Sequence, residues 1–477
     1  MSLHGRANIV LLSLDAVRAD RTCCWPGAPA GELTPSLRRL MGESVAFERC
    51  LAHSAWTVPN HATMFTGAYP CDHGILQPGS EASGPTVPLA ARLAAEGYRT
   101  GCFSMVPLFL PGEGLTAGFE HVAPNEMRKD AKGVRRVTWS AVRWAREQGD
   151  RPFFLFLHHW GAHMPYLRYG VRRDSIAVPR RSAARQLCTP PSLPWRCARA
   201  VWRRLESVPG IGRLAHRYRA GRRARADDGA KLWGPMTPKR RLVQAVNTGS
   251  VDLNDREVAF LRARYDQRVR WADRLLGETL RVLRTQLDAD RALLVVTSDH
   301  GDSLYEHHEL GHISSLRNPV VHPFLVIRLP GGEHGGRRPR GLASHADIAP
   351  TVLDVLGLDP RGRLRGTSLL PAAAGEDLPD RCQIAELVLP HAEQDAVFDG
   401  GYKLLCDRTR RTEHLYRYPD DFAEHQDLAA AQPRQVERLK EKLRAARDEE
   451  TGDRLGRGRI PPADPEILRR LQDLGYL

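Results

Sequence analysis

Asn8-Ile-Val-Leu-Leu-Ser-Leu14 is an unbroken apolar run that stops at Asp15. A strand buried on both faces reads this way, which suits a parallel sheet. The same kind of run recurs at Pro152-Phe-Phe-Leu-Phe-Leu157, at Arg291-Ala-Leu-Leu-Val-Val-Thr-Ser298 and at Pro323-Phe-Leu-Val-Ile-Arg328, while Gly97 to Ser104 returns as a further strand. Between these runs the apolar spacing changes to a helical period over Thr34–Met41, Val87–Glu96, Arg135–Arg146, Glu257–Arg284 and Ala346–Leu356. Thr34 reads as a capping residue with Pro35 in the first turn, and Gly357 as a terminator. The alternation predicts an α/β fold with a large mixed, mostly parallel sheet sandwiched by helices.

From about residue 375 the pattern changes to shorter strands, Gln383–Leu389, Tyr402–Cys406 and His414–Tyr418, followed by a charged helix over Pro433–Arg447. A smaller C-terminal α+β lobe fits this. The predicted organisation is a main domain over 1–372, the small-sheet lobe over 373–447, and a linker with a terminal helical segment over 448–477, the linker at Arg454–Pro462 and a last turn or two at Pro465–Leu471.

Composition narrows the class. A chain of 477 residues, 42% hydrophobic and 26% charged, is not wholly disordered. The formal charge of +14 and a pI near 9.6 point to an anionic partner or substrate, with nucleic acid, acidic lipid headgroups and sulfated or phosphorylated sugars all fitting. The charge is local: residues 168–241 hold 20 Lys or Arg against four acids, which predicts a basic surface insertion able to grip a polyanion. No apolar run exceeds strand size, so no transmembrane segment is expected. No leader pattern opens the chain, and the nine cysteines lack CxxC spacing, so a cytoplasmic protein with reduced thiols is expected.

Candidate chemistry collects at the predicted carboxyl ends of strands. Asp15 ends the first strand, Asp299-His300 ends another, His163 follows a third, and Thr57 sits near the start of a short helix in Ser54-Ala-Trp-Thr57-Val-Pro-Asn-His61. Each alone reads as a cap or surface group. Together, two carboxylates and an imidazole at sheet edges hold a divalent cation, and the same ion lowers the pKa of a hydroxyl. Thr57, at a helix N-terminus that favours anions, then becomes a nucleophile.

At these residues the sequence resembles the sulfatase family of the alkaline phosphatase superfamily. The matches are Ser13-Leu-Asp15 with Arg18-Ala-Asp20, Thr34-Pro-Ser-Leu, Trp56-Thr57-Val-Pro59-Asn-His61 with Thr66-Gly67, Gly97-Tyr-Arg-Thr, His163-Met-Pro165-Tyr and Thr297-Ser-Asp299-His300-Gly-Asp302. Glu306-His307 with Gly311-His312, Asp347-Ile-Ala-Pro-Thr351, Gly366-Thr-Ser-Leu, and the ending Lys403-Leu, Leu415-Tyr416 and Asp427-Leu428 continue the pattern to about residue 445. The resemblance implies an alkaline-phosphatase-like fold whose catalytic domain is 1–372. It implies a divalent metal ion (Mg, Ca, Mn or Zn) on Asp15, Thr57, Asp299 and His300, and His163 and His312 facing the substrate's ester oxygens. It also implies that His61 stands where true sulfatases have an arginine, and that Ala16 leaves out a second acidic ligand.

Thr57 departs from the main sulfatase pattern, in which a cysteine or serine is oxidised to formylglycine. Threonine carries a β-methyl and cannot give that aldehyde, so no formylglycine is expected, and the hydroxyl itself must attack. This is similar to the phosphodiesterase and phosphotransferase branches of the superfamily. The expected function is metal-dependent hydrolysis of a sulfate or phosphate ester through a covalent intermediate, with phosphoryl chemistry favoured. The alternatives are transfer to a sugar or lipid acceptor, or a catalytically degenerate scaffold that binds a polyanion through the basic insertion. A second ion would need His159-Trp-Gly-Ala-His163 to act as a ligand pair.

Overall fold

The computed structural model describes residues 7–27, 33–76, 80–82, 86–106, 108–109, 114–124, 128, 130–164, 166, 243, 245–360, 362, 364–389 and 392–448. The basic insertion over 168–241, the linker and the terminal helical segment lie outside the described residues.

The main sheet contains seven strands. In chain order these are β1 (Ile9–Leu14), β2 (Val45–Phe47), β3 (Arg99–Ser104), β4 (His121–Val122), β5 (Phe153–His159), β6 (Leu293–Ser298) and β7 (Leu325–Arg328). Their spatial order is β2-β7-β6-β1-β5-β3-β4, with β7 antiparallel to both of its neighbours and every other pairing parallel. β1, β5 and β6 are buried at every position, as the continuous apolar runs predict for strands covered on both faces. β5 continues through His158 and His159, two residues beyond its apolar run.

The helices used below are α1 (Pro35–Met41), α2 (Thr57–Thr66), α3 (Ala131–Glu147), α4 (Asp255–Leu287), α5 (Ile348–Val355) and α6 (Pro433–Asp448). Pro35 opens α1 as expected, but the Thr34 side chain does not cap it; its hydroxyl accepts the Cys23 amide at 2.9 Å. α4 has a reciprocal cap between Asn254 and Glu257. No helix among the described residues is long and apolar enough to cross a membrane.

A separate four-stranded antiparallel sheet follows: β8 (Gln383–Leu389), β9 (Ala392–Asp399), β10 (Tyr402–Asp407) and β11 (Thr412–Arg417), packed on α6. β9 was not expected from sequence. Its Gln394 and Asp395 are buried, which breaks the apolar pattern. Asp395 is held by Arg408 at 2.5 Å and by Arg447, and Gln394 donates to Asp407 at 2.8 Å. This sheet also grips the main domain. Fully buried Lys403 donates to Leu316 O (2.8 Å), Asn318 Oδ1 (2.9 Å) and Glu424 Oε1 (2.6 Å), while Gln394 Oε1 accepts the Leu316 amide.

Burial strips water from His53, His73, His322 and His345 and pushes each imidazole down to about 3. The hydrogen bonds agree: His73 Nδ1 accepts the Ile75 amide at 3.0 Å, a role open only to an unprotonated nitrogen. The folded state therefore binds fewer protons than the unfolded chain, whose imidazoles titrate near 6.5. These groups leave stability intact above about pH 6.5 and erode it as pH falls toward about 3, each by about 1.4 kcal/mol per pH unit. Unfolding at pH 5 should accordingly take up several protons, measured as a buffer-dependent enthalpy in calorimetry. Unfolding at pH 5 without proton uptake would contradict this assignment.

Candidate active site

Strand register gathers the site. β1 lies between β5 and β6 with Leu14 opposite both His159 and Ser298. The residue following β1 is Asp15 and the residue following β6 is Asp299, so register alone delivers two carboxylates to adjacent strand ends, which are roughly 4.8 Å apart in a sheet. Both are completely buried. The chain leaving β5 crosses the end of β1 so closely that a Cβ at Gly161 would lie 2.4 Å from the Asp15 carbonyl oxygen, so that position takes only glycine. Ala162 N–H donates to that carbonyl at 2.8 Å, and His163 follows.

Asp299 is oriented by its neighbours. Its Oδ1 accepts the amides of Ala16 (3.0 Å) and His300 (2.9 Å). Ala16 is in the left-handed region, φ 56°, and its carbonyl accepts the Tyr265 hydroxyl at 2.7 Å. The residue standing where a second acidic ligand was expected thus spends its backbone on orienting Asp299. Asp299 Oδ2 is buried and accepts no hydrogen bond among the described residues.

His300 donates Nδ1–H to Gly301 O at 2.8 Å, which leaves the Nε2 lone pair facing inward. That nitrogen lies 3.4 Å from Thr57 Oγ1, 3.5 Å from Asp299 Oδ2 and 3.7 Å from Asp15 Oδ1. One ligand atom each of Asp15, Asp299 and His300 fall within 4.8 Å of one another. Burial pushes His300 down to about 4, against the pull of Asp299, so the imidazole is neutral at physiological pH. Burial works to raise Asp299, but the imidazoles of His300, His61 and His158 and the Ala16 amide outweigh it and hold the acid below the ordinary carboxylate range. Two aspartates, a neutral imidazole and the inward Asp299 Oδ2 that accepts no hydrogen bond form a donor set that fits a divalent cation.

Thr57 is the first residue of α2, whose ten residues are all buried, and its hydroxyl points at this donor set. Asn60, one turn on, fixes the approach. Its Nδ2 donates to Ser54 O and to Asp299 O, both at 2.9 Å, and its Oδ1 accepts the Ser54 amide at 2.8 Å. One buried amide thereby ties the helix carrying Thr57 to the strand end carrying Asp299.

His312 and His163 line the more open side, 7% and 4% exposed. The His312 ring is 4.2 Å from His300 and 5.0 Å from His163. Asp302 accepts from His312 Nδ1 at 2.6 Å and from the Tyr166 hydroxyl at 2.8 Å. His163 donates Nδ1–H to Met164 O at 2.7 Å. Both rings therefore present Nε2.

His61 reaches the site from the side of α2: its Nδ1 bonds the Thr57 carbonyl (2.8 Å) and lies 4.0 Å from Asp299 Oδ2, within reach of His158 as well, while its Nε2 bonds Ser13 Oγ (2.9 Å) and its ring meets Phe109 and Phe156 edge-on. The His159/His163 pair is not formed. β-strand alternation turns His159 outward, with its Nε2 3.4 Å from Thr138 of α3, and sends His158 inward, with its Nε2 4.0 Å from Asp299 Oδ2. Asp302 and Asn60 stood in the matched motifs but were given no role from sequence, and His158 was not singled out. The spacing of Asp302 from Asp299 and the period-two alternation of β5 were the signals available.

Comparison with known proteins gives the family and the fold. A Sulfatase family profile matches residues 7–358. The chain is similar to the multifunctional alkaline phosphatase superfamily protein PehA of Trinickia caryophylli, 24% identical and covering 77% of each chain. It is also similar to an N-acetylglucosamine-6-O-sulfatase of Bacteroides thetaiotaomicron, 23% identical over 78% of this chain and 71% of that one. The crystal structure of a phosphonate monoester hydrolase of Agrobacterium radiobacter superposes with a TM-score of 0.64 at 20% identity, covering 94% of this chain and 97% of that one.

Replacing Asn60 with Leu should leave the Ser54 amide, the Ser54 carbonyl and the Asp299 carbonyl without this partner. The expected cost is at least about 2 kcal/mol of stability, since each buried unsatisfied group costs about 1–3 kcal/mol, read from chemical denaturation. An unchanged midpoint would show that Asn60 is not the tie described.

Proposed function

The chain belongs to the sulfatase family, and we propose that it is a metal-dependent ester hydrolase in which Thr57 is the nucleophile and phosphoryl transfer is favoured over sulfuryl transfer. The observation carrying this reading is the convergence of Thr57 Oγ1, Asp15, Asp299 and His300 on one buried point. Asp15, Asp299, His300 and Thr57 would hold the divalent cation. The imidazole suits Zn and the two carboxylates suit Mn, Mg or Ca. When bound, such an ion polarises an ester oxygen and lowers the pKa of a hydroxyl.

The chain's own residues supply the rest. Thr57, deprotonated, attacks the phosphorus of an anionic ester in line with the leaving oxygen. The positive end of α2 favours the charge that collects there. Asp302, accepting from His312 Nδ1, fixes the tautomer and stabilises the imidazolium, so that Nε2 hands a proton to the departing oxygen. His163, protonated when the anionic ester binds, donates Nε2–H to a non-bridging oxygen while Nδ1–H stays on Met164 O. Water then gives a proton to the now neutral His312 and attacks phosphorus, displacing Thr57 as the alkoxide that began the cycle and leaving His312 again protonated. His61 acts at one remove, holding the Thr57 carbonyl and with it the first turn of α2.

An anionic sugar ester is one substrate class that the relatives support, since one of them is a sulfatase of N-acetylglucosamine-6-O-sulfate type. The basic insertion expected over 168–241 is a second anionic-binding element.

The test is a panel of nitrophenyl sulfate, phosphate monoester, phosphodiester and phosphonate with added Mn, Zn, Ca or Mg. Thr57→Ser should retain activity and Thr57→Ala should lose at least about 10³-fold in kcat/KM, with phosphorus esters cleaved faster than sulfate by the unaltered protein. Activity surviving in Thr57→Ala would remove the nucleophile from the account.

A further inference from the structure

α3, α4 and α1 form one continuous helical layer. Arg135 of α3 pairs with Glu278 of α4 at 2.9 Å, Thr138 meets Thr279 at 3.3 Å and Arg146 reaches Gln286 at 3.2 Å, so the two helices run side by side in the same direction. On the other flank Asp273 of α4 accepts the amides of Ser36 and Leu37 at the start of α1, both at 2.9 Å.

The outward side of this layer is basic. α3 exposes Lys132, Arg135, Arg136, Arg143 and Arg146 around Trp139. α4 continues the surface with Arg270, Arg274 and Arg281, interrupted by Glu278, and α1 adds Arg38 and Arg39. Among the described residues no ion pair joins a carboxylate to Arg143, Arg274 or Arg281, while Arg270 acts on the half-buried Asp266 one turn earlier. Overall composition does not explain this concentration: residues 168–241 hold 20 Lys or Arg against four acids, more than the whole excess of +14, so the remainder of the chain is slightly acidic. Trp139 is 48% exposed, and among the described residues only Val87 is another large apolar side chain left in solvent.

We propose that this layer docks the protein on an anionic phospholipid surface. An arginine-rich helix face is electrostatically attracted to acidic headgroups and pairs their phosphates bidentately. A tryptophan among those arginines inserts at the headgroup level, where its ring is half solvated and half buried in acyl chain. Three helices side by side present a broad surface, matched to a bilayer rather than to a single polymer strand. The inference is independent of the chemistry at Thr57, because none of these residues touches the donor set there.

The experiment is co-sedimentation of the full chain with phosphatidylglycerol-containing vesicles and with pure phosphatidylcholine vesicles at low and high salt. Three proteins are compared: the unaltered chain, Trp139→Ala, and the triple variant Arg143→Glu, Arg274→Glu, Arg281→Glu. The unaltered chain should bind the anionic vesicles in a salt-sensitive way and ignore the neutral ones. The triple variant should bind them more than about tenfold more weakly, and Trp139→Ala should bind measurably more weakly. Both variants should keep their melting temperature and their hydrolysis of a soluble ester, since the altered side chains are exposed. Binding by the triple variant equal to that of the unaltered chain would overturn the proposal, because the basic insertion or another surface would then be responsible. It would also be overturned if the unaltered chain ignored vesicles, or if the triple variant lost only heparin binding.

Discussion

Two carboxylates, Asp15 and Asp299, are held one strand apart with no exposure to water. Two carboxyl groups so placed cannot both carry charge in a low-dielectric interior without help: they share a proton or take a cation between them, and a cation is what the proposed function assigns here. The register of β1 against β6 imposes the proximity, since the aspartates are the next residues after a paired Leu14 and Ser298. The neighbouring structure then serves to orient rather than to separate them. Ala16 accepts a left-handed backbone, a conformation costing of order 1–3 kcal/mol outside glycine, and that twist turns its amide onto Asp299 Oδ1 so that Oδ2 is left facing His300 Nε2.

The other elements can be understood as supports for this point. α2 brings a hydroxyl to it, and Asn60 ties that helix to Asp299 through one hydrogen bond while two more fix it to Ser54. The small sheet reaches across to the segment beyond His312, where Lys403 and Gln394 bind the carbonyl and amide of Leu316. His312, four residues earlier, is therefore braced from both sides, by Asp302 within its hairpin and by β9 and β10 behind it. Buried neutral imidazoles at His53, His322 and His345 fill the space between the strand ends and this sheet, each bonded to a backbone carbonyl.

Much of this was legible before the structure. The continuous apolar runs of β1, β5 and β6 announce strands covered on both faces, and their last residues announce the donor set, because a charged residue directly after such a run must sit at a sheet edge. Thr57 could be placed at a helix start from Pro59 and Gly67. Features set by tertiary contacts were not legible. A mixed sheet was expected and is found, but which strand makes it mixed follows from the route of the chain into β7, which no periodicity records. β9 was missed because its buried positions include Gln394 and Asp395, whose partners, Asp407, Arg408 and Arg447, are distant in sequence. The choice between His158 and His159 depended on where β5 ends: with the strand stopped at Leu157 both appear to be loop residues, whereas continued pairing sends them to opposite faces. Thr34 carries every mark of a cap, yet the neighbouring Cys23 amide claims its hydroxyl.

The central claim is that one divalent cation links the hydroxyl of Thr57 to Asp15, Asp299 and His300. Anomalous diffraction from crystals of the Mn²⁺-loaded protein tests it most directly. The account predicts a single strong peak within bonding distance of Asp15, Asp299 Oδ2, His300 Nε2 and Thr57 Oγ1. A peak bound by other residues, or an ion at this site with the threonine oxygen turned away from it, would contradict it.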